Sequence, residues 1–221
     1  VGSTKIALSL DDRYLALGSM NCVVVMDAIT LQPVASTQLG INYVTSLLFR
    51  RDGLLILATK ESRSEGPSGI QAWDWRTKTT LKTVYPPLEG QSRPTWELSQ
   101  SADGERIAML SRAFPATLVI WDRELQHEVG RLQLQVESAS REDFIGVALS
   151  PDGSRAVTVS RFNTNVQVWD TVRSSLLLNL PDTDGHTSVV GFNRFGQIIT
   201  GRWSGGVTIW DSGYPTPPIS R

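Results

Sequence analysis

The chain has 221 residues, of which 40% are apolar, so it is long enough for one large domain or an array of repeats. Its 21 basic and 22 acidic residues leave a net charge of −1, which gives no reason to expect nucleic acid or a membrane as partner. No apolar run reaches the roughly 20 residues of a transmembrane helix, and no signal-peptide pattern is visible. Cys22 has no second cysteine to pair with, which is typical of a reducing compartment, so we expect an intracellular protein, cytoplasmic or nuclear.

Five short apolar runs predict strands, and each is followed by a tight polar turn. The runs are Ile6–Leu10, Val44–Phe49, Thr95–Ser99, Gly146–Ser150 and Val189–Phe192. The turns contain Asp11-Asp12, Asp52-Gly53, Asp103-Gly104, Asp152-Gly153 and Phe195-Gly196. Asp-Gly between two such runs is a strong hairpin signal, because glycine tolerates positive φ and aspartate caps its own turn.

Two further apolar runs follow each turn. The first of them is Tyr14–Gly18, Leu54–Thr59, Arg106–Ser111, Arg155–Ser160 and Gln197–Gly201. The next ends in an aspartate, at Asp27, Asp74, Asp122, Asp170 and Asp211. In the last four copies a tryptophan precedes the aspartate, at Trp73, Trp121, Trp169 and Trp210. The aspartates recur every 41 to 48 residues, so the chain is built from five copies of one unit.

A fourth, weaker run closes four of the five copies. These runs are Val34–Leu39, Thr79–Val84, His127–Leu132 and Leu176–Leu180. After Asp211 the chain continues instead into a proline-rich segment that cannot hold a sheet register, because proline lacks the backbone N–H. The sequence therefore predicts nineteen strands, with an extended tail or linker over 213–221.

The whole pattern resembles the WD-repeat (WD40-type) family, over residues 3 to 212. Ser150-Pro151-Asp152-Gly153 followed by Val168-Trp169-Asp170 is a close match to its repeat. The resemblance implies an all-β fold, a β-propeller of four-stranded antiparallel blades. The five blades are expected at about 3–40, 41–85, 93–133, 144–181 and 186–212, the last incomplete. We expect them to be part of a larger propeller of about seven blades, the alternative being an open arc completed by a partner chain.

The sequence offers little for catalysis, and we predict no catalytic site, metal or cofactor. His127 and His186 have no cysteine or carboxylate at metal-ligand spacing, and no strand-to-helix glycine loop is present to hold a phosphate. In the family, a Gly-His dipeptide begins a chain of hydrogen bonds that ends on the repeat tryptophan. The resemblance gives His186 such a structural role, through Ser204 and Thr200 to Trp210, with Ser204 in place of the usual aspartate.

Loops between the second and third strands are the candidate binding surface, because strands in such a scaffold are used for packing. Four of them place a basic residue at about one position, and three follow it with an aromatic residue. The residues concerned are Lys60, Arg112, Phe114, Arg161, Phe162, Arg202 and Trp203. Arginine and aromatic residues are enriched in binding hot spots, and arginine grips carboxylates and phosphates. We therefore expect a protein partner, such as an acidic or phosphorylated peptide; the alternative is an ordinary polar loop surface.

This surface leads to a first functional hypothesis. The chain is a non-catalytic scaffold that recruits a partner protein, and it belongs to a larger chain or complex. A second hypothesis is the substrate-recognition or sensor portion of a larger enzyme. Trp73-Asp74-Trp75-Arg76 fits the Trp-Asp-x-Arg pattern by which some family members dock on a cullin–RING ubiquitin ligase. Under the same second hypothesis, the larger enzyme is a signalling ATPase instead of a ubiquitin ligase. The alternative is a structural role for Arg76, in which the aliphatic stem of its side chain covers the strand edge.

Overall fold

The computed structural model describes residues 4–61, 69–84, 95–111, 116–134, 144–160, 165–181 and 187–211. Within these ranges every regular element is a β-strand and no helix occurs, so the predicted all-β class is confirmed. None of these residues lies in a helix that could cross a membrane. The eighteen strands are β1 (Lys5–Leu8), β2 (Tyr14–Gly18), β3 (Met20–Asp27), β4 (Pro33–Phe49), β5 (Leu55–Glu61), β6 (Gly69–Asp74), β7 (Thr79–Val84), β8 (Trp96–Gln100), β9 (Arg106–Ser111), β10 (Thr117–Asp122), β11 (Glu128–Gln133), β12 (Phe144–Leu149), β13 (Arg155–Ser160), β14 (Asn165–Asp170), β15 (Ser175–Pro181), β16 (Thr187–Phe192), β17 (Ile198–Arg202) and β18 (Val207–Trp210).

The strands form antiparallel sheets in which each strand pairs with its neighbour in sequence. Strands β8 to β11 and β12 to β15 make two four-stranded sheets, and β16 to β18 make a three-stranded one. Strands β1 to β7 make a seven-stranded sheet, in which residues 33–38 of β4 pair with β3 and residues 42–49 pair with β5. We number the five repeat units in chain order. Unit 1 consists of β1 to β3 with residues 33–38, and unit 2 consists of residues 42–49 with β5 to β7. Units 3, 4 and 5 are the sheets β8 to β11, β12 to β15 and β16 to β18.

Strand β4 differs from the prediction of two separate strands at Val34–Leu39 and Val44–Phe49. The backbone stays extended through the connection, which gives one strand of 17 residues and eighteen described strands instead of nineteen. The segment between the two runs contains no proline and no Asp-Gly pair, so nothing in it forces a turn. Units 1 and 2 therefore share a strand, and the expected boundary at residue 40 falls inside it.

The predicted tight turn is confirmed in all five units. The fourth residue of each turn has positive φ, namely Asp12 (57°), Gly53 (83°), Gly104 (75°), Gly153 (69°) and Gly196 (79°). Its N–H donates to the carbonyl of the first turn residue, as from Gly153 to Ser150 at 2.9 Å. In three units a serine hydroxyl at the first position also donates to the turn aspartate at 2.6 Å, from Ser9, Ser101 and Ser150. One local structure thus recurs at the same point of every unit.

The buried apolar residues form four clusters, and each cluster lies between two successive units. Alternate side chains of β9 show the arrangement: Ile107 and Met109 pack with residues of unit 2, whereas Ala108 and Leu110 pack with residues of unit 4. All four are fully buried, because successive side chains of a strand point to opposite faces and both faces of this sheet are covered. The described cores are therefore made between units, by stacking one sheet on the next.

The two end units each leave one apolar face open. On unit 1, Ile6 (64% exposed) and Leu8 lie on the face away from unit 2, in register with Leu17 and Leu15 of β2. On unit 5, Val207 and Ile209 (60% exposed) lie on the face away from unit 4. The corresponding faces inside the array are buried, so these two sheets present core-type residues to solvent.

Because the cores lie between stacked sheets, we expect a buried residue of β9 to contribute far more to the free energy of unfolding than an equally apolar residue on an outer strand. We expect Ile107→Ala to lower the free energy of unfolding by about 2–5 kcal/mol, because it opens a cavity between units 2 and 3. The control is Leu81→Ala on β7, where the leucine is 58% exposed. Urea unfolding followed by tryptophan fluorescence measures both, and similar losses in the two variants would contradict the stacking.

Candidate functional site

The structure describes three of the seven residues expected to form the loop surface: Lys60, Arg202 and Trp203. Lys60 lies near the end of β5, Arg202 ends β17, and Trp203 begins the turn that leads to β18. All three lie where a second strand of a unit ends, so the topology places them at one edge of the array. Arg112, Phe114, Arg161 and Phe162 lie outside the described residues.

Lys60 connects two units. Its Nζ donates to Oγ1 of Thr95, just before β8, at 3.3 Å. The ammonium group is half-buried beside the next unit, so its positive charge lies between units 2 and 3.

The β17–β18 turn separates its cation from its aromatic side chain. Arg202 Nη2 donates to Oγ1 of Thr208 at 2.7 Å, which holds the guanidinium against its own hairpin. Trp203 is 69% exposed. Gly205 and Gly206 both have positive φ. The N–H of Gly205 donates to the carbonyl of Arg202 and the N–H of Arg202 donates to the carbonyl of Gly206, each at 3.2 Å, which closes the turn. The turn thus presents a large aromatic side chain to solvent from a well-defined hairpin.

Each repeat tryptophan packs toward the preceding unit. Trp73 belongs to the cluster between units 1 and 2, and Trp169 to the one between units 3 and 4; Trp121 and Trp210 pack partly buried against the two remaining clusters. The Nε1 of Trp169 donates to Thr158 Oγ1 at 2.9 Å.

The indole nitrogens of these tryptophans differ in their partners. Trp210 donates to Thr200 at 3.2 Å, which is the last step of the hydrogen-bond chain implied for unit 5, while His186 lies outside the described residues. Trp121 Nε1 is buried without a partner, and the residue at the threonine position of its unit is Met109. Apolar packing therefore holds this tryptophan, and among the described residues the hydrogen bond to threonine is present in units 4 and 5.

The repeat aspartates close the turns between third and fourth strands, a role that the sequence did not indicate. Asp170 Oδ1 accepts from the N–H of Val172 and of Arg173, at 2.9 and 2.7 Å. Asp27 accepts likewise from the N–H of Thr30 at 2.7 Å. These N–H donors favour the ionised carboxylates and hold the pKa of both aspartates below the ordinary value. The four aspartates that accept backbone N–H groups in these turns are Asp27, Asp74, Asp122 and Asp170.

The Trp-Asp-x-Arg segment of unit 2 is bonded to the turn between the first and second strands of the same unit. Trp75 is buried and its Nε1 donates to the carbonyl of Gly53 at 2.9 Å. The guanidinium of Arg76 lies 4.4 Å from the centre of the Trp75 ring and donates to the same carbonyl at 3.2 Å. Arg76 therefore covers an aromatic ring, where the sequence suggested a strand edge, and its role in docking stays a prediction. Across the described ranges, no three His, Cys, Asp or Glu residues are grouped to hold a metal ion.

No protein-family model matches the chain. Over 108 residues the chain is 31% identical to an uncharacterized WD repeat-containing protein of Synechocystis sp. (strain ATCC 27184 / PCC 6803 / Kazusa), which covers 48% of this chain. The matched segment is 28% of that protein's length, so this chain corresponds to under a third of its relative. The four-stranded antiparallel sheets are consistent with WD-repeat blades, and the similarity supports a protein-interaction scaffold, rather than an enzyme, in general terms.

Removing the hydroxyl that faces Trp169 should leave a buried donor unpaired. We expect Thr158→Val to cost about 1–3 kcal/mol of unfolding free energy, although valine has nearly the shape of threonine. Thr158→Ser keeps the hydroxyl and is the control for the packing change. Chemical denaturation of the three proteins separates the two effects, and a valine variant as stable as the parent protein would show that the bond contributes nothing.

The turn aspartates predict a specific acid dependence of stability. A carboxyl group whose pKa is lowered by folding stabilises the protein above its ordinary pKa of 3.8, and this contribution disappears as the pH falls through the lowered value. We expect Asp170→Asn to remove one such contribution, so the variant should lose less stability on acidification than the parent chain. Melting temperatures measured from neutral pH to about pH 3 test this. An equal decrease in melting temperature on acidification in the two proteins would contradict this prediction.

Proposed function

We propose that the five units are blades of a β-propeller of the WD-repeat type, forming an arc of a larger ring, and that this ring is a non-catalytic scaffold for protein recruitment. The observation that carries the proposal is the pair of open apolar faces on units 1 and 5. The four faces between the described units are packed cores, whereas the end faces of units 1 and 5 expose apolar residues of the same kind. A chain of blades that continues beyond both ends would cover them.

An ion pair supports a radial arrangement of the first strands. Lys5 on β1 lies 3.5 Å from Glu97 on β8, although these strands belong to units 1 and 3. In a linear stack of sheets, unit 2 would separate them. First strands that converge on a common axis bring side chains of non-neighbouring units together, as around the central channel of a propeller.

The recruiting surface in this proposal is formed by the loops after the second strands. Trp203 is its best-described member, since an exposed tryptophan on a closed hairpin loses little conformational freedom on binding. Lys60 and Arg202 supply positive charge at the same edge. We propose that this surface, together with Arg112, Phe114, Arg161 and Phe162, binds a protein segment that carries carboxylate or phosphate groups.

A matched pair of double variants tests the proposed surface. We expect Arg161→Glu with Trp203→Ala to abolish partner recovery when the immobilised chain captures proteins from its native extract. The control is Arg194→Glu with Phe195→Ala, which removes another arginine and aromatic pair of unit 5, stacked at 4.7 Å, at the opposite end of β17. Both variants must retain the wild-type melting temperature.

If both double variants lose the same partners, or if neither loses any, the loop surface is not the recruiting surface.

A further inference from the structure

The outer strands of units 1 to 4 differ in the apolar surface that they expose. These strands are residues 33–38 of β4, then β7, β11 and β15, and each pairs with the third strand of its unit. The first three each expose one large apolar side chain, namely Val34, Leu81 and Val129. Strand β15 exposes three in succession, Leu176, Leu177 and Leu178. It is therefore the most apolar of the described outer strands.

Strand β15 also lacks the charged side chains that two other outer strands carry. In β11, the guanidinium of Arg131 donates two hydrogen bonds to the carboxylate of Glu128. In β7, Lys82 Nζ donates to the carbonyl of Leu125 in unit 3. Charged side chains on an edge strand oppose pairing with another chain, because pairing would take them out of water. The sequence of β15, Ser-Leu-Leu-Leu-Asn-Leu-Pro, contains no charge, so its edge has no such protection.

The last part of β15 forms a regular, open edge. The strand ends the sheet β12 to β15, and among the described strands it pairs with β14 alone. From Leu178 to Pro181 this pairing is regular. Leu178 and Leu180 lie on the face toward unit 5, because their partners on β14 belong to the core between units 4 and 5. Asn179 lies on the opposite face. The edge thus combines unpaired backbone groups with leucines on one face and an amide on the other.

We propose that β15 is a homodimer interface, in which the β15 strands of two copies pair antiparallel about Asn179. In this register Asn179 lies opposite Asn179 of the second copy, and Leu178 lies opposite Leu180 on both sides of the two-fold axis. The pairing ends where Leu177 meets Pro181, which has no N–H to donate. The two sheets β12 to β15 then become one continuous antiparallel sheet.

The side chains of β15 favour a second copy as the occupant of this edge. A primary amide has both donors and an acceptor, so two facing Asn179 side chains bond to each other. Leu178 opposite Leu180 gives an apolar cross-strand pair on the other face, and no like charges meet. Because the same patch is used on both copies, the contact closes at a dimer.

The position of β15 in the array leaves room for such a contact. Fourth strands lie on the circumference of a propeller, so the outer edges of units 3 and 5 recede from the point where two copies touch. This step alone rests on the propeller arrangement proposed above. The contact uses neither Trp203 nor the other residues of the recruiting surface.

Sedimentation velocity of the full chain tests for the dimer, over about 10 µM to about 1 mM because the interface is small. We expect a monomer–dimer equilibrium without larger species. Leu178→Lys should raise the dissociation constant at least roughly tenfold, because it removes the apolar pair and brings charge to the edge. The matched control is Leu81→Lys on β7, since Leu81 is 58% exposed and Leu178 is 56% exposed. The control should dimerise as the wild type does.

A charge exchange at position 179 tests the register and the identity of the second copy. The Asn179→Asp and Asn179→Lys variants should each be monomeric, because the two-fold axis sets like charges opposite each other. An equimolar mixture of the two variants should restore the dimer. The open faces of units 1 and 5 do not contain position 179, so association through those faces would not follow this pattern. Melting temperatures of all variants show whether the fold is retained.

A chain that stays monomeric at the highest concentration, equal weakening by the two leucine variants, or a mixture of the two charged variants that stays monomeric would each overturn the proposal. A monomeric chain that still recovers partners through Trp203 would overturn the dimer alone and leave the recruiting surface in place.

Discussion

Burial of both faces of the second strands is the constraint on which this structure depends. A single unit is a small sheet with two apolar faces, and it has no interior of its own. Only the neighbouring units can remove those faces from water, so the free energy of each core belongs to a pair of units. The fully buried residues of β9 divide evenly between two such cores. Some turn residues take part in this packing, such as Trp75 and Leu125, whereas Trp203 in the turn after β17 is exposed.

Repeat tryptophans and aspartates contribute to this arrangement in different ways. The aspartate acts locally, because it accepts the N–H groups that close the next turn. The tryptophan acts between units, since its ring fills the core shared with the preceding sheet. The unpaired indole nitrogen of Trp121 shows which part of that contribution is indispensable. A tryptophan without its threonine still packs, so shape and apolar area outweigh the hydrogen bond.

The sequence was sufficient to predict the class of fold, the strands and the turns, because these follow from short-range rules. Alternating burial and the positive φ of Gly53 or Gly153 are properties of a few neighbouring residues. The continuity of β4 could not be predicted, since it depends on where unit 2 lies relative to unit 1. For the loop surface, only the residue types could be read from the sequence, and the structure adds the exposure of Trp203 and the contacts of Lys60 and Arg202.

The shared strand β4 has a consequence for how the array responds to force and how it forms. Its 17 residues bond to β3 at one end and to β5 at the other, so units 1 and 2 are one continuous hydrogen-bonded sheet. A hinge between these two units would have to break strand pairing, whereas a hinge between units 3 and 4 would separate packed side chains and break isolated hydrogen bonds, such as that from the N–H of Asp103 to the carbonyl of Pro151. During synthesis, units 1 and 2 can complete their common core without waiting for the rest of the chain.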